Sequence, residues 1–330
     1  MRSVGVVVVT HNSAHLVKNC LSPLTDAGFS VVVVDNRSED QTSRIVAEEF
    51  PDVTLLQNDT NAGFARAVNR GARSLDVDHI MLLNPDAVIE PDAVVALSRI
   101  VDDRPDWIVA PRIEDPSGVH RVVGAGRFPT PWAMLTHYLG LSRGARVLPR
   151  LAGHYLTADQ LAGETDPVEV EWVTGACVMM SAELWQRLGG LSTRWFMYAE
   201  DIELCWRAAD VNGGRRAARC VVVPTIRATH LVGQSSTSIG DARDKPLRPS
   251  DWVRNLYDFY CTSMALSRLN CILWGIATAF GLGVRATVFL AQSVPGGPGG
   301  RRRRRQAFEF ARHAIAIGVL APTATRRGVR

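Results

Sequence analysis

Two short stretches hold most of the groups that could do chemistry. FMYAEDIELCWR, residues 196–207, places Glu200, Asp201 and Glu203 together at the start of a helical pattern. Read plainly, acids suit a helix N-terminus because the macrodipole favours negative charge there. A second reading starts from Trp195, Phe196 and Tyr198, which immediately precede them. A carboxylate beside apolar rings loses hydration, its pKa rises, and it becomes a better proton acceptor near neutrality. NPDAV, residues 84–88, follows the apolar run Ile80–Leu83 and holds one carboxylate, Asp86. Such an Asp either caps a turn or holds a metal ion against a substrate.

Elements that position these groups are legible over the first 110 residues. Strands are expected at Val4–Val9, Ser30–Val34, Val53–Leu56 and His79–Leu83. Helices are expected at Ala14–Leu24, Gln41–Glu49 (capped by Ser38 or Asp40), Gly63–Leu75 and Pro91–Val101. Near-continuous Val/Ile/Leu strands alternating with helices imply a parallel sheet covered on both faces. Ligands of such sheets sit beyond the carboxyl ends of the strands. The polar residues there are Thr10-His11-Asn12, Asp35-Asn36, Asn58 and Asn84-Pro85-Asp86, and they should share one edge.

Residues 111–170 give no clear pattern. Beyond them, an apolar segment at Trp172–Met180, helices at Ala182–Leu188 and Glu200–Ala209, and a strand at Val221–Val223 are expected. Residues 235–250 read as a mobile loop. Trp252–Leu269 has one amphipathic helical face, and Cys271–Val284 is uncharged and apolar. Those 14 residues fall short of the roughly 20 that a membrane span needs. A Pro/Gly break at 295–300 leads into Arg301–Arg305.

The chain has 330 residues, 46% hydrophobic and 21% charged, which supports one large core or two modest ones and excludes wholesale disorder. The six cysteines show no metal-ligand spacing and read as small apolar residues in a reducing compartment. Val4–Val9 runs into Thr10-His11-Asn12 rather than a cleavage site, so a cytoplasmic protein is expected. The net charge of +4 is uneven: residues 294–330 carry nine Arg and one Glu.

Seven segments in order resemble family 2 inverting glycosyltransferases. They are VVVVTHNSAHLVKNCL (6–21), VVVVDNRSEDQT (31–42), NAGFARAVNRGA (61–72), LLNPDAVIEPDAV (82–94), TGACVMMSAELWQRLGGL (174–191), FMYAEDIELCWR (196–207) and HLVGQSS (230–236). Within that family the chain most resembles bacterial rhamnosyltransferase-like members that build lipid-linked cell-wall or surface polysaccharide. The resemblance implies a GT-A type α/β fold: a Rossmann-like, mostly parallel central sheet flanked by helices, here with a C-terminal helical extension. It gives a catalytic domain at 1–240, with a nucleotide-sugar half at 1–110 and an acceptor half at 111–240; beyond it the residues themselves mark a helical, membrane-associating region at 250–293 and a basic tail at 294–330.

By the same resemblance the donor is a nucleotide diphosphate sugar, dTDP-rhamnose or a UDP-sugar, used with Mg²⁺ or Mn²⁺. Asp86 matches the last acid of a DxD-type motif and is assigned to the metal; Asn84 replaces a frequent Asp and is left to a ribose hydroxyl. His230 is a second candidate metal ligand. Thr10, His11, Asn12, Asp35 and Asn36 would hold the nucleoside, with Asn61, Gly63, Phe64 and Asn69 alongside. Asn69 and Asp35-Asn36 also read as ordinary helix and turn residues. Asp201 would be the general base and Glu200 its support, with the two roles exchangeable. Trp172, Gly175 and Ala176 would line the acceptor cleft, although Trp172 suits a core equally, and Trp195 and Tyr198 would offer a platform for a sugar ring.

A polyprenyl-diphosphate-linked glycan acceptor would bring the enzyme to the inner face of the plasma membrane, where the aromatic helix and the five Arg suit anionic headgroups. A helical hairpin packed on the catalytic domain or in a homodimer is the alternative. Nucleic acid is not expected, because the Arg run lacks aromatic interleaving. Two other classes are weighed. Sugar nucleotidylyltransferases carry a Gly-rich loop after the first strand, and here that position reads Thr-His-Asn-Ser-Ala-His. A non-catalytic nucleotide-sugar-binding scaffold would lack one of the two acids, and both are present.

Overall fold

The computed structural model describes residues 2–116, 122–210, 219–231, 250–265, 267–293 and 299–323. Most of the loop read at 235–250, residues 232–236 of HLVGQSS and most of the Pro/Gly break lie outside them.

In chain order the strands are β1 (Val4–Thr10), β2 (Ser30–Asp35), β3 (Thr54–Gln57), β4 (His79–Leu83), β5 (Ala87–Ile89), β6 (Trp107–Glu114), β7 (Val122–Gly126), β8 (Tyr155–Thr157), β9 (Val168–Val170), β10 (Trp172–Val173), β11 (Cys177–Ser181) and β12 (Arg219–His230). The helices are α1 (Val17–Asp26), α2 (Thr42–Glu49), α3 (Phe64–Arg73), α4 (Pro91–Asp103), α5 (Pro131–Tyr138), α6 (Ala182–Leu188), α7 (Glu200–Asp210), α8 (Asp251–Phe259), α9 (Arg268–Ala291) and α10 (Gly300–Thr323). Two compact units result: residues 1–125 with 161–247, and residues 126–160 with 248–330.

The first unit is built on one sheet ordered β3-β2-β1-β4-β11-β6-β12-β5, with β9 also on β12. β1 to β4 are parallel, as the apolar runs predict. β11 is antiparallel to β4, and β5 to β12, so the sheet is mixed. Strand alternation splits its two faces. Val4, Val6 and Val8 pack with Leu21 of α1 and Leu97 of α4, while Val32 and Val34 pack with Ala67 of α3. Fully burying each such Val contributes about 1.5–3 kcal/mol. α3 approaches the second face closely enough that a Cβ on Gly71 would lie 2.7 Å from Val7 Cγ1.

The pairing fixes one functional edge. β1, β2 and β4 end there at Thr10, Asp35 and Leu83. β11 starts there, because Cys177 pairs with Leu83. β12 ends there, because His230 pairs with Ala87 just past the Asn84 turn.

Two expectations about α2 and the C-terminal region change. α2 begins at Thr42, and Gln41 at its N-cap makes no side-chain cap bond. Asp40 instead accepts from Thr42 N at 2.9 Å and Ala14 N at 3.0 Å, while Ser38 bonds Asp35. Residues 126–160, expected in the catalytic span, group with 248–330 because α9 holds them. Trp274 Nε1 donates to Pro129 O at 2.5 Å, and Arg285 donates to His137 O at 3.0 Å.

The amphipathic stretch 252–269 is not one helix. α8 passes into a π turn at Tyr260–Met264, the chain extends at Ala265, and α9 restarts behind Ser267, whose hydroxyl accepts from Asn270 N at 3.3 Å. α9 then runs 24 residues, past the apolar stretch that ends at Arg285. The Arg285 guanidinium turns inward over the Tyr138 and Phe310 rings, 5.6 Å from each, so it does not end the helix. By length and composition α9 is sufficient to cross a membrane. None of the six cysteines is in a disulfide, and all but Cys261 are buried.

Candidate active site

At the functional edge of the first unit two acidic sites converge on the segment leading into β11. Asn84 N donates to Ala176 O at 2.9 Å, and Gly175 N donates to Asp201 Oδ2 at 3.1 Å. Neighbouring residues of one strand entry therefore hold the turn that carries Asp86 and the carboxylate of Asp201.

Asp86 is 4% exposed, and its Oδ1 lies 3.0 Å from His230 Nε2. The Asn84 amide nitrogen is 3.5 Å from the same Nε2. One ring nitrogen cannot donate to Asp86 and accept from Asn84 together, and the charge of Asp86 favours donation. Among the described residues no group of three His, Cys, Asp or Glu side chains is arranged to hold a metal.

Glu200 and Asp201 open α7 after two consecutive left-handed residues that are not glycine, Tyr198 at φ 72° and Ala199 at φ 79°. Each costs on the order of 1–3 kcal/mol, a strain that clusters at functional sites. Asp201 is partly exposed, and its Oδ1 also accepts from Ile202 N at 2.8 Å. Burial raises its pKa, against hydrogen bonds from Gly175, Ile202 and Thr174 that favour the charged form. Glu200 is 4% exposed, and its Oε2 has no hydrogen-bond partner among the described residues. Burial first, and the Asp201 charge second, push its pKa up to about 8. At neutral pH Glu200 is thus a neutral acid beside Asp201, whose own pKa burial raises; two carboxyls in unlike environments can divide acid and base roles between them.

The start of α3 is fastened to the loop before these acids. Phe64 N donates to Phe196 O at 2.9 Å. Gly63 has φ +84°, and a Cβ there would sit 2.5 Å from that same carbonyl oxygen. Gly63→Ala therefore incurs both left-handed strain and a main-chain clash. It is expected to lower stability by about 2 kcal/mol or more, measured by urea unfolding, and to lower turnover in the surviving fold.

Several expected nucleoside contacts are instead occupied within the protein. Asp35 is 2% exposed; Oδ1 accepts from Thr10 and Ser38 hydroxyls at 2.9 and 2.5 Å, and Oδ2 from Ser38 N and Ser43 Oγ at 2.9 and 2.8 Å. Its roughly four lone-pair positions are taken up within the protein, where it organises the loop. Asn36 Oδ1 accepts from Asn58 Nδ2 and Ala62 N, and its amide donates to Gly63 O. Asn12 Oδ1 accepts from Glu39 N, and Asn61 Oδ1 from Gly63 N. His11 Nδ1 contacts Asn36 O at 2.9 Å, leaving a buried Nε2 with no hydrogen-bond partner among the described residues.

Asn69 is a staple: its amide oxygen accepts from Leu191 N at 2.9 Å and its nitrogen donates to Leu191 O at 2.8 Å. Arg207 of α7 holds the same loop through Gly190 O at 2.7 Å and Leu188 O. Trp172, which suited cleft and core equally, and Trp195, expected as part of a sugar-ring platform, are core side chains at 4% and 7% exposure, and Ala176 is buried too; apolar rings this large gain more from the interior than from an open cleft. Tyr198 is half-buried. Thr174 was not singled out in the sequence, yet its hydroxyl bonds Asp201; its place at a strand end, one residue before Gly175, is the signal for it.

Residues 5–157 match the family model described as Glycosyl transferase family 2, and the chain is a glycosyltransferase carrying that family's domain on a GT-A fold. It is 27% identical over 226 residues to the low-salt glycan biosynthesis hexosyltransferase Agl10 of Haloferax volcanii, covering 67% of this chain and 66% of that one. It is 27% identical over 251 residues to the N-acetylglucosaminyl-diphospho-decaprenol L-rhamnosyltransferase of Mycobacterium tuberculosis, covering 70% and 76%. The mannosyltransferase PcManGT of Pyrobaculum calidifontis, solved with GDP-Man and Mn²⁺, shares the fold at TM-score 0.57 and 18% identity, over 96% of this chain and 86% of that one.

Proposed function

We propose that the enzyme transfers a sugar, with inversion, from a nucleoside diphosphate sugar to a hydroxyl of a lipid-linked saccharide. The observation that carries this reading is the pair of acidic sites held by Gly175 and Ala176: Asp86 with His230, and Asp201 with Glu200. In the proposed step the acceptor oxygen bonds to the anomeric carbon, and the bond from that carbon to the phosphate oxygen breaks. The acceptor proton passes to Asp201, and the electron pair leaves with the nucleoside diphosphate. Glu200, held neutral, keeps a second negative charge away from the base. No enzyme nucleophile is needed, so one displacement inverts the centre.

Asp86 and His230 would hold a divalent cation by one oxygen and one nitrogen, Nε2 giving up the proton it otherwise donates to Asp86, and the other positions would fall to phosphate and water. That two-donor set fits an ion whose main ligands come with the donor. The cation would neutralise charge that develops on the departing diphosphate. His11 Nε2, buried and without a hydrogen-bond partner among the described residues, is a candidate contact to the nucleotide.

A rhamnosyl donor such as dTDP-rhamnose and a polyprenyl-diphosphate-linked acceptor are supported by the name of the mycobacterial relative; a UDP-sugar is the second choice. With such an acceptor, cell-wall or surface polysaccharide assembly at the inner face of a plasma membrane is the setting we propose. A thermal-shift screen of dTDP- and UDP-sugars with and without Mn²⁺ tests the donor site. At a donor concentration about 100-fold over Kd, stabilisation of about 2.7 kcal/mol is expected only with the metal. Equal stabilisation without metal, or none with any donor, counts against the site.

A further inference from the structure

Among the described residues, every exposed large apolar side chain lies in the second unit, from Leu141 at 42% exposure to Val147 at 91%. The same unit is the basic part of the molecule. Residues 126–160 and 248–330 carry seventeen Arg and four acids, a net of +13, which leaves −9 for the rest of a chain totalling +4. A core-forming unit has no reason to combine the two, whereas a surface that meets an anionic, partly apolar phase needs both.

The apolar groups are ordered. On α9, Leu269, Leu273, Ile276 and Phe280 follow one another at helical spacing and are 48–62% exposed. The opposite face carries Cys271, Trp274, Thr278 and Leu282, all buried. No charged residue interrupts the outer stripe, since Arg285 is turned inward. α10 packs on α9, with Phe289 and Phe310 at 5.5 Å and Arg303 donating to Gln292 O at 2.9 Å. Its outer face carries Phe308, Ile315 and Val319, 64–70% exposed, and its first turns are the exposed Arg301–Arg305. A second such patch lies between α5 and β8, where exposed Val147 and Leu148 sit among Arg143, Arg146 and Arg150.

We propose that the outer faces of α9 and α10 seat the enzyme on an anionic lipid bilayer, lying in the interface rather than crossing it. Charge complementarity selects this occupant: a second copy of the chain would bring +13 against +13. Crossing is disfavoured by what α9 holds. Its inner face is tied through Trp274 and Arg285 to the Pro129–Tyr138 segment, so a span would drag a guanidinium and loop carbonyls into hydrocarbon. In an interfacial pose Leu273, Ile276 and Phe280 enter the acyl boundary while Arg301–Arg305 meet headgroup phosphates. The inference does not need the acceptor to be lipid-linked.

Co-sedimentation of the full chain with vesicles of phosphatidylcholine alone, or with about a third phosphatidylglycerol, tests it. At least about tenfold more binding to the anionic vesicles is expected, weakening as salt rises. The pair Ile276→Glu and Phe280→Glu should lower that binding by about tenfold or more. Replacing Arg301–Arg305 by Gln should do the same. Donor hydrolysis without vesicles should be unchanged in both, which reports folding and the donor site separately. Leu269→Gln with Leu273→Gln serves as a milder second variant. Failure of the wild-type chain to bind anionic vesicles overturns the proposal. So does vesicle binding that both apolar variants leave intact, or a stable dimer that those variants dissolve.

Discussion

Asp201→Asn is expected to lower transfer by about 10³-fold, within the range for loss of a general base, with donor affinity nearly unchanged. Glu200→Gln is expected to cost less than about tenfold, because a neutral amide stands in for an acid that is already neutral at pH 7. Initial rates and donor titrations on both variants check this ordering. The Asn variant carries a stability cost as well. Both Asp201 oxygens accept backbone N–H groups, from Gly175 and Ile202, so the new amide nitrogen must face one of them. That mismatch costs about 1–3 kcal/mol, and melting curves should accompany the rates. Two pH signatures follow. Activity should fall as pH drops through the raised pKa of Asp201, above the ordinary aspartate range. For Glu200, a folded pKa of about 8 against an ordinary value of 4.5 means that the folded state prefers the protonated form. Stability should therefore decline as pH rises across that interval, and Glu200→Gln should flatten the decline.

Asp86→Ala is expected to weaken metal-dependent donor binding by at least about 10²-fold, with turnover falling in parallel. The carboxylate is 4% exposed and sits against His230, so its removal takes the one negative charge from the site proposed for the cation. His230→Ala should cost less, since a neutral imidazole brings a donor atom but no charge. Calorimetric titration of donor with Mn²⁺ reads both. If His230→Ala costs as much as Asp86→Ala, the metal assignment is inverted.

Much of this was legible in the sequence because burial writes itself into composition. Val4–Val9 and Ile80–Leu83 can be little else than inner strands of a covered sheet, and their polar ends then share an edge. What escaped was decided by hydrogen-bond saturation rather than by residue type. Asp35 and Asn69 have the side chains of ligand-binding residues, yet Ser38, Ser43 and Thr10 fill the first, and the Leu191 main chain fills the second. Residue type leaves Trp172 open between cleft and core and offers Trp195 to a sugar ring; packing puts both in the core. The strands β5 and β6 were missed because β5 is three residues long and β6 carries Pro111 and Arg112 inside it. α9 outruns the apolar stretch that stops at Arg285, because that charge does not end the helix. Arg285 is accommodated by a carbonyl and two aromatic rings, partners that only the folded chain brings to it.

The most direct measurement is a side-by-side titration of Asp86→Ala and Asp201→Asn with the donor and Mn²⁺, scored for affinity and for single-turnover transfer. One acid should govern how tightly the sugar nucleotide is held; the other should govern only how fast it reacts once held. Loss of affinity confined to the first variant, with near-native affinity and transfer slowed about 10³-fold in the second, is the predicted result. Matching losses of affinity in both, or normal transfer by Asp201→Asn, would contradict it.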